Sequence, residues 1–138
     1  MASTKLNEAK GVTTFPNEVW VGSWVNLINK DSEINRLGNF FTADIMFKFG
    51  KEKQYILNVY QGKVQGVIVD PIWDKSWDFG IVASQETWQN SIEKMPKPFY
   101  QDLFGMMWNH GMTIEGNAVK AMQNIRVLKL MMALMKHA

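Results

Sequence analysis

Two histidines and a short series of aspartates are the side chains best suited to do chemistry in this chain. His110 stands between Asn109 and Gly111 and could act as a general base or be a surface turn residue. A general base needs a proton to abstract within hydrogen-bond reach, and no nucleophile in a recognisable motif accompanies His110, which favours the turn reading. His137 lies in the last residues and carries no chemistry in this reading. Asp70, Asp74 and Asp78 are close enough in sequence to suggest a metal site. Their pattern lacks the Gly and the closing Glu of a calcium loop, so they are read as solvated turn residues. Trp73 and Trp77 flank them and could rim a pocket mouth or cover a sheet edge. There is no Gly-rich phosphate loop, no Gly-x-Ser-x-Gly elbow and no His-Glu-x-x-His. With no cysteine, disulfides and thiolate metal sites are excluded. The expectation is therefore no catalytic residue, no metal and no cofactor.

The elements that would position any site have ordinary bulk properties. At 138 residues, one domain over 1–138 is expected, with residues 1–15 a loose polar lead-in. Hydrophobic residues make up 46% and charged residues 20%, as in a soluble globular domain. A net charge of +2, without a Lys/Arg block, argues against nucleic acid as a partner. No apolar run is long enough for a membrane span, and the N-terminus lacks a signal-peptide core. The C-terminal Met-Lys-His-Ala is not the Ser-Lys-Leu peroxisomal address, so a cytoplasmic location is expected. The 10 Met and 6 Trp are unusual, because Met suits irregular cavities and surfaces that accept varied partners.

Along the chain, Pro16-Asn17-Glu18 can start a helix, and Val19, Trp20, Trp24, Leu27 and Ile28 follow at helical spacing to Lys30. A polar connection from Asp31 to Asn39 has room for a helical turn around Ile34 and Leu37. Strands are expected over 44–49, with Ile45, Phe47 and Phe49 on one side, and over 54–60 and 64–69. The Gln61-Gly62-Lys63 turn marks a hairpin. A fourth strand is expected near 79–83, and the four together read as an antiparallel meander. Ser84 to Lys94 reads as a helix with a Ser N-cap, stopped by Pro96-Lys97-Pro98. Phe99 to Asn109 reads as another, with Phe99, Leu103, Phe104, Met107 and Trp108 apolar.

The last quarter organises the rest. Met112 to Glu115 alternates like a short strand, Gly116 breaks it, and Asn117 is a good N-cap. From Ala118 the pattern is helical, with Ala118, Met122, Ile125, Leu128, Met132 and Met135 on one face. Val119, Val127, Leu130, Met131 and Leu134 extend the apolar surface, and past Val127 only Lys129 is charged before Lys136. Such a helix needs cover on more than one side: a sheet, and then a partner subunit, a membrane surface or an apolar ligand.

Three stretches resemble the sterol carrier protein-2 (SCP-2) family. Tyr55-Ile56-Leu57-Asn58-Val59 with Gly62-Lys63-Val64 is similar to its central hairpin. Phe79 to Ser84 with Glu86-Thr87-Trp88 is similar to its next strand and helix start. Gly111 to Asn117 is similar to its Gly-x-(Leu/Ile)-x-Ile-x-Gly-Asp segment. The likeness runs from about Asn39 to the end; Trp73 to Trp77 and Pro96-Lys97-Pro98 depart from it. It implies an α+β fold: an antiparallel or mixed five-stranded sheet covered by helices, with an apolar cavity under the C-terminal helix. It also implies non-catalytic binding and transfer of a sterol, fatty acid, acyl-CoA or phospholipid. The residues expected to line the tunnel are Trp24, Phe47, Phe99, Leu103, Phe104, Met107, Trp108, Met112, Leu128, Met131, Met132 and Met135. The same methionines could instead pack on the sheet or on a second subunit. Two other functions stay open: a small enzyme shaping a hydrophobic polyketide or terpenoid for isomerisation or cyclisation, and a homodimerisation module. The expected partners are a hydrophobic small molecule or lipid, with transient membrane-surface contact and a homodimer as further options.

Overall fold

The computed structural model describes residues 15–51, 53–71, 76–100 and 102–138. Helix α1, Glu18–Lys30, begins where the Asn17 side chain accepts the Trp20 N–H at 2.9 Å, and Val21, Trp24 and Ile28 form its buried stripe. Asp31 caps a second short helix, α2, Ser32–Leu37, in the same way. The strands β1 (Ala43–Phe49), β2 (Lys53–Tyr60) and β3 (Lys63–Val69) follow. Gln61 and Gly62 both have positive φ, 50° and 81°, which matches the twist of a two-residue hairpin between β2 and β3. Gly62 is also required by space: a Cβ there would meet the Gly38 carbonyl at 2.8 Å.

The expected meander stops at β3. Strand β4, Phe79–Ala83, crosses over and pairs parallel with β1, and β5, Thr113–Gly116, pairs antiparallel with β4. The sheet order is β3-β2-β1-β4-β5. The physical reason lies in β4 itself. Phe79, Gly80, Ile81 and Ala83 are all buried, so the strand is apolar on both faces and needs an inner position, as parallel strands usually do. A place beside β3, at the edge, would have exposed it.

One face of the sheet presents Ala43, Ile45, Phe47, Phe49, Tyr55, Leu57, Val59, Phe79 and Ile81 to the helices. Helix α3, Gln85–Ser91, is capped by Ser84 and buries Trp88, whose indole N–H donates to the Lys48 carbonyl at 2.8 Å. Phe15 is part of this packing rather than of a loose lead-in: it meets Trp20 and Phe49 edge-on at 4.7 and 5.7 Å. Residues 1–14 of the expected lead-in lie outside the described residues.

Three helices differ from their sequence pattern; α3, expected to run to Lys94, already ends at Ser91, with Ile92 as its C-cap. The helix expected from Phe99 covers only Leu103–Asn109 (α4), because Phe99 has φ +70°, incompatible with a right-handed helix. The long C-terminal helix is broken into α5, Ala118–Gln123, and α6, Ile125–Ala133, followed by a 3₁₀ turn, Leu134–His137. Asn124 sits at the break with φ −119° and ψ 26°, its side chain donating to the Lys120 carbonyl at 2.9 Å. Asn competes for backbone groups in this way, which is why it disfavours helix interiors. The break rotates the apolar face. Ala121 is the buried residue of α5, while Ala118, Val119 and Met122 are exposed; in α6, Val127, Leu128 and Met131 turn inward.

Candidate functional site

The expected tunnel residues divide into three groups. Trp24, Phe47, Met112, Leu128 and Met131 are buried in the continuous core. Trp24 shows how tightly: it stacks on Trp20 at 5.3 Å, meets Phe47 edge-on at 5.0 Å and donates its indole N–H to the Met131 carbonyl at 2.8 Å. Phe99 and Trp108 are exposed, with Phe104 and Met107 half-buried beside them. Leu103, Met132 and Met135 come together around a cavity of about 90 Å³ where α6 and the C-terminal turn approach α4.

The cavity floor is apolar: Leu103, Met106, Met132 and Met135. Its rim is polar, formed by Ser91, Tyr100, Asp102, Lys129 and Lys136. Lys129 pairs with Asp102 at 3.2 Å and holds its ammonium 4.5 Å above the Phe104 ring. Tyr100 is fixed by stacking on His110, ring centroids 3.6 Å apart and planes 10° from parallel. Sequence reasoning missed Met106, Tyr100 and Lys129 as lining residues. The signal for Lys129 was present, since it is the one charge between Val127 and Lys136 in a helix otherwise apolar.

A second, open depression lies at the start of α1, with Phe15, Val19, Trp20 and Ile92 as its apolar lining and Asn17, Glu18 and Ser23 as its polar lining, reached by Ala138. Met135 and Lys136 line the first space and Ala138 the second, and Ser91 and Ile92 divide in the same way. The C-terminal turn and the end of α3 therefore contribute residues to both. Trp20 ties the C-terminal turn to α1 by donating its indole N–H to the Met135 carbonyl at 3.1 Å, and Ser23 donates its hydroxyl to the Ala138 carbonyl at 3.4 Å.

The candidate catalytic groups have structural places. His110 ends α4, its carbonyl accepts the Thr87 hydroxyl at 3.1 Å, and its Nε2 lies 3.4 Å from the Pro98 carbonyl. Asp70 closes the β2–β3 ladder with Gln54, its backbone N–H donating at 2.8 Å and its side chain accepting at 3.2 Å. Asp78 joins three strands: its carboxylate accepts the Asp44 N–H at 2.7 Å and its carbonyl accepts the Asn117 N–H at 2.8 Å. Both are turn residues that satisfy backbone groups. Asp74 and Trp73 lie outside the described residues. Trp77 covers Gly116, where an added Cβ would meet its ring at 2.7 Å. Among the described residues no group of acidic, histidine or cysteine side chains could hold a metal ion. The Tyr55 hydroxyl is buried without a hydrogen-bond partner, and burial, with smaller contributions from Asp70 and Glu18, raises its pKa above the usual phenol value.

Comparison of the sequence with protein-family models and with curated proteins gives no match. Solved structures do match. The crystal structure of sterol carrier protein 2 superposes with a TM-score of 0.72 at 11% identity, covering 88% of this chain and 97% of that one. The solution structure of a conserved hypothetical protein from Thermus thermophilus, described as possibly a sterol carrier protein, gives 0.66 at 14% identity over 93% and 90%. A ubiquinone synthesis protein, UbiJ-SCP2, gives 0.55 at 14% identity over 91% and 98%. The class is thereby defined: the chain has the SCP-2-like α+β fold, a mixed five-stranded sheet with helices packed on it. No helix among the described residues is long and apolar enough to cross a membrane.

Proposed function

We propose that this protein binds and carries a lipid or similar hydrophobic molecule without transforming it, with the ligand's apolar end in the cavity beside α6. The supporting observation is the composition of that cavity: a floor of Leu103, Met106, Met132 and Met135 under a rim of Tyr100, Lys129 and Lys136. Apolar walls with a few convergent polar groups are what a small amphiphile requires. A space of about 90 Å³ takes roughly three methylene-sized groups at about 30 Å³ each. A longer chain is received when the three methionines shift aside, which their unbranched side chains do at low cost. Binding free energy then comes mainly from the buried chain, about 0.8 kcal/mol per methylene. The likeness to sterol carrier protein 2 supports the same reading.

The test is displacement of a fluorescent fatty acid from the delipidated protein by alcohols, acids and sterols of graded length. The reading expects saturable binding near one to one, tightening with each methylene until the cavity is filled. No saturable binding of any of these ligands would contradict it.

A further inference from the structure

We infer that residues 94–100, together with the exposed face of α4, form a docking surface for an anionic phospholipid bilayer. The inference rests on the carrier reading, because it names the surface through which the cavity would exchange ligand. Three large apolar side chains stand in solvent here: Met95 is 87% exposed, Trp108 80% and Phe99 57%. Scattered single exposures need no explanation, but Phe99 and Trp108 are both borne at α4, and Met95 precedes Phe99 by four residues in the same segment. Trp108 stacks on Phe104 at 5.9 Å. Gly105, on the same side of α4, has the Phe99 backbone so close that an added Cβ would meet its carbonyl oxygen at 2.9 Å. The segment is also built to hold its shape. Pro96 and Pro98 fix two φ angles, the Tyr100–His110 stack clamps its end, and Phe99 sits at φ +70° with its ring pointed out of the core. A bulky residue held in the left-handed region and left exposed is a position where strain commonly serves function.

Charge selects the partner. Lys94 and Lys97 belong to the segment itself, and Lys129 and Lys136 stand on the rim of the cavity it borders. The nearby acids are Glu93 and Asp102, and Asp102 is paired with Lys129. Among the described residues Lys94, Lys97 and Lys136 form no ion pair. Apolar and aromatic tips surrounded by lysines suit the headgroup layer of an anionic leaflet, where Trp rings settle and each lysine gains from the surface potential. Pro96 and Tyr100, at the other side of the segment, line the cavity, so a bilayer docked here would lie against its rim.

Co-sedimentation with vesicles tests this. The protein is expected to bind vesicles of phosphatidylserine in phosphatidylcholine, and to bind pure phosphatidylcholine more weakly. Raising the salt should remove the difference. Trp108→Ser should weaken binding to both vesicle types. Lys94→Glu and Lys97→Glu should each weaken only the anionic binding, by about fivefold or more. Met95→Ser combined with Lys97→Glu should lose vesicle binding yet keep its affinity for the fluorescent fatty acid free in solution. Absence of wild-type binding to anionic vesicles, or wild-type binding by these variants, overturns the docking surface and leaves the carrier reading standing. Vesicle binding without fatty-acid binding has the opposite meaning: the surface holds and the carrier reading falls.

Discussion

Replacing Met132 by Phe separates a ligand cavity from ordinary core packing, because two measurements should move in opposite directions. Met132 is half-buried and lines the cavity of about 90 Å³ together with Leu103, Met106 and Met135. A closed apolar cavity costs about 24 cal/mol per Å³, so this space of about 90 Å³, partly polar and open to water, costs the ligand-free protein less than about 2 kcal/mol. A ring occupying half of that space should return up to about 1 kcal/mol in denaturant unfolding of the delipidated protein. The same ring displaces the ligand. Excluding about half of the three methylene-sized groups, at about 0.8 kcal/mol each, removes roughly 1.2 kcal/mol of binding, about eightfold in Kd. Guanidinium titration of the ligand-free protein and fluorescent fatty-acid titration of the same preparation read the two quantities. A destabilised variant with unchanged affinity would refute the cavity assignment and leave Met132 as packing alone.

Other outcomes follow from the same geometry. Trp24→Phe should cost about 1–3 kcal/mol in unfolding, since it removes the indole donor to the Met131 carbonyl and opens a gap where the larger ring packs against Trp20 and Phe47. Tyr55→Phe should be neutral or stabilising by up to about 1 kcal/mol, because it removes a buried hydroxyl that has no partner. The folded phenol titrates above its unfolded value of 10.0, so the folded state holds the proton longer and wild-type stability falls as pH rises past that value. Tyr55→Phe should flatten that fall in alkaline unfolding curves. Gly62→Ala should destabilise by about 1–3 kcal/mol in thermal unfolding, since it strains a residue at φ +81° and drives a Cβ into the Gly38 backbone.

Much of this architecture is legible in the sequence where local chemistry decides. The caps at Asn17, Ser84 and Asn117 each accept a backbone N–H as their residue types suggest. The Gln61-Gly62 hairpin is likewise a local matter. The parallel position of β4 was written in its composition, a continuous apolar run rather than an alternating one, and the hairpin spacing of the earlier strands concealed it. The break at Asn124 was hidden for the converse reason. Apolar residues on both sides carried the helical period through a residue whose side chain prefers the backbone.

The site was legible in part. Leu103, Met132 and Met135 line the cavity, but period alone cannot tell a lining residue from a core residue. Trp24, Phe47, Leu128 and Met131 have the same pattern and pack solidly. Phe99 and Trp108 depended on an element that proved shorter than their spacing implied.

The most direct test of a carried hydrophobic ligand is native mass spectrometry of the protein as purified, followed by denaturing extraction. The account predicts a monomer bearing a fatty acid, phospholipid or sterol mass near one to one, reduced in Met132→Phe. A protein that stays empty, even after incubation with such lipids, would contradict it.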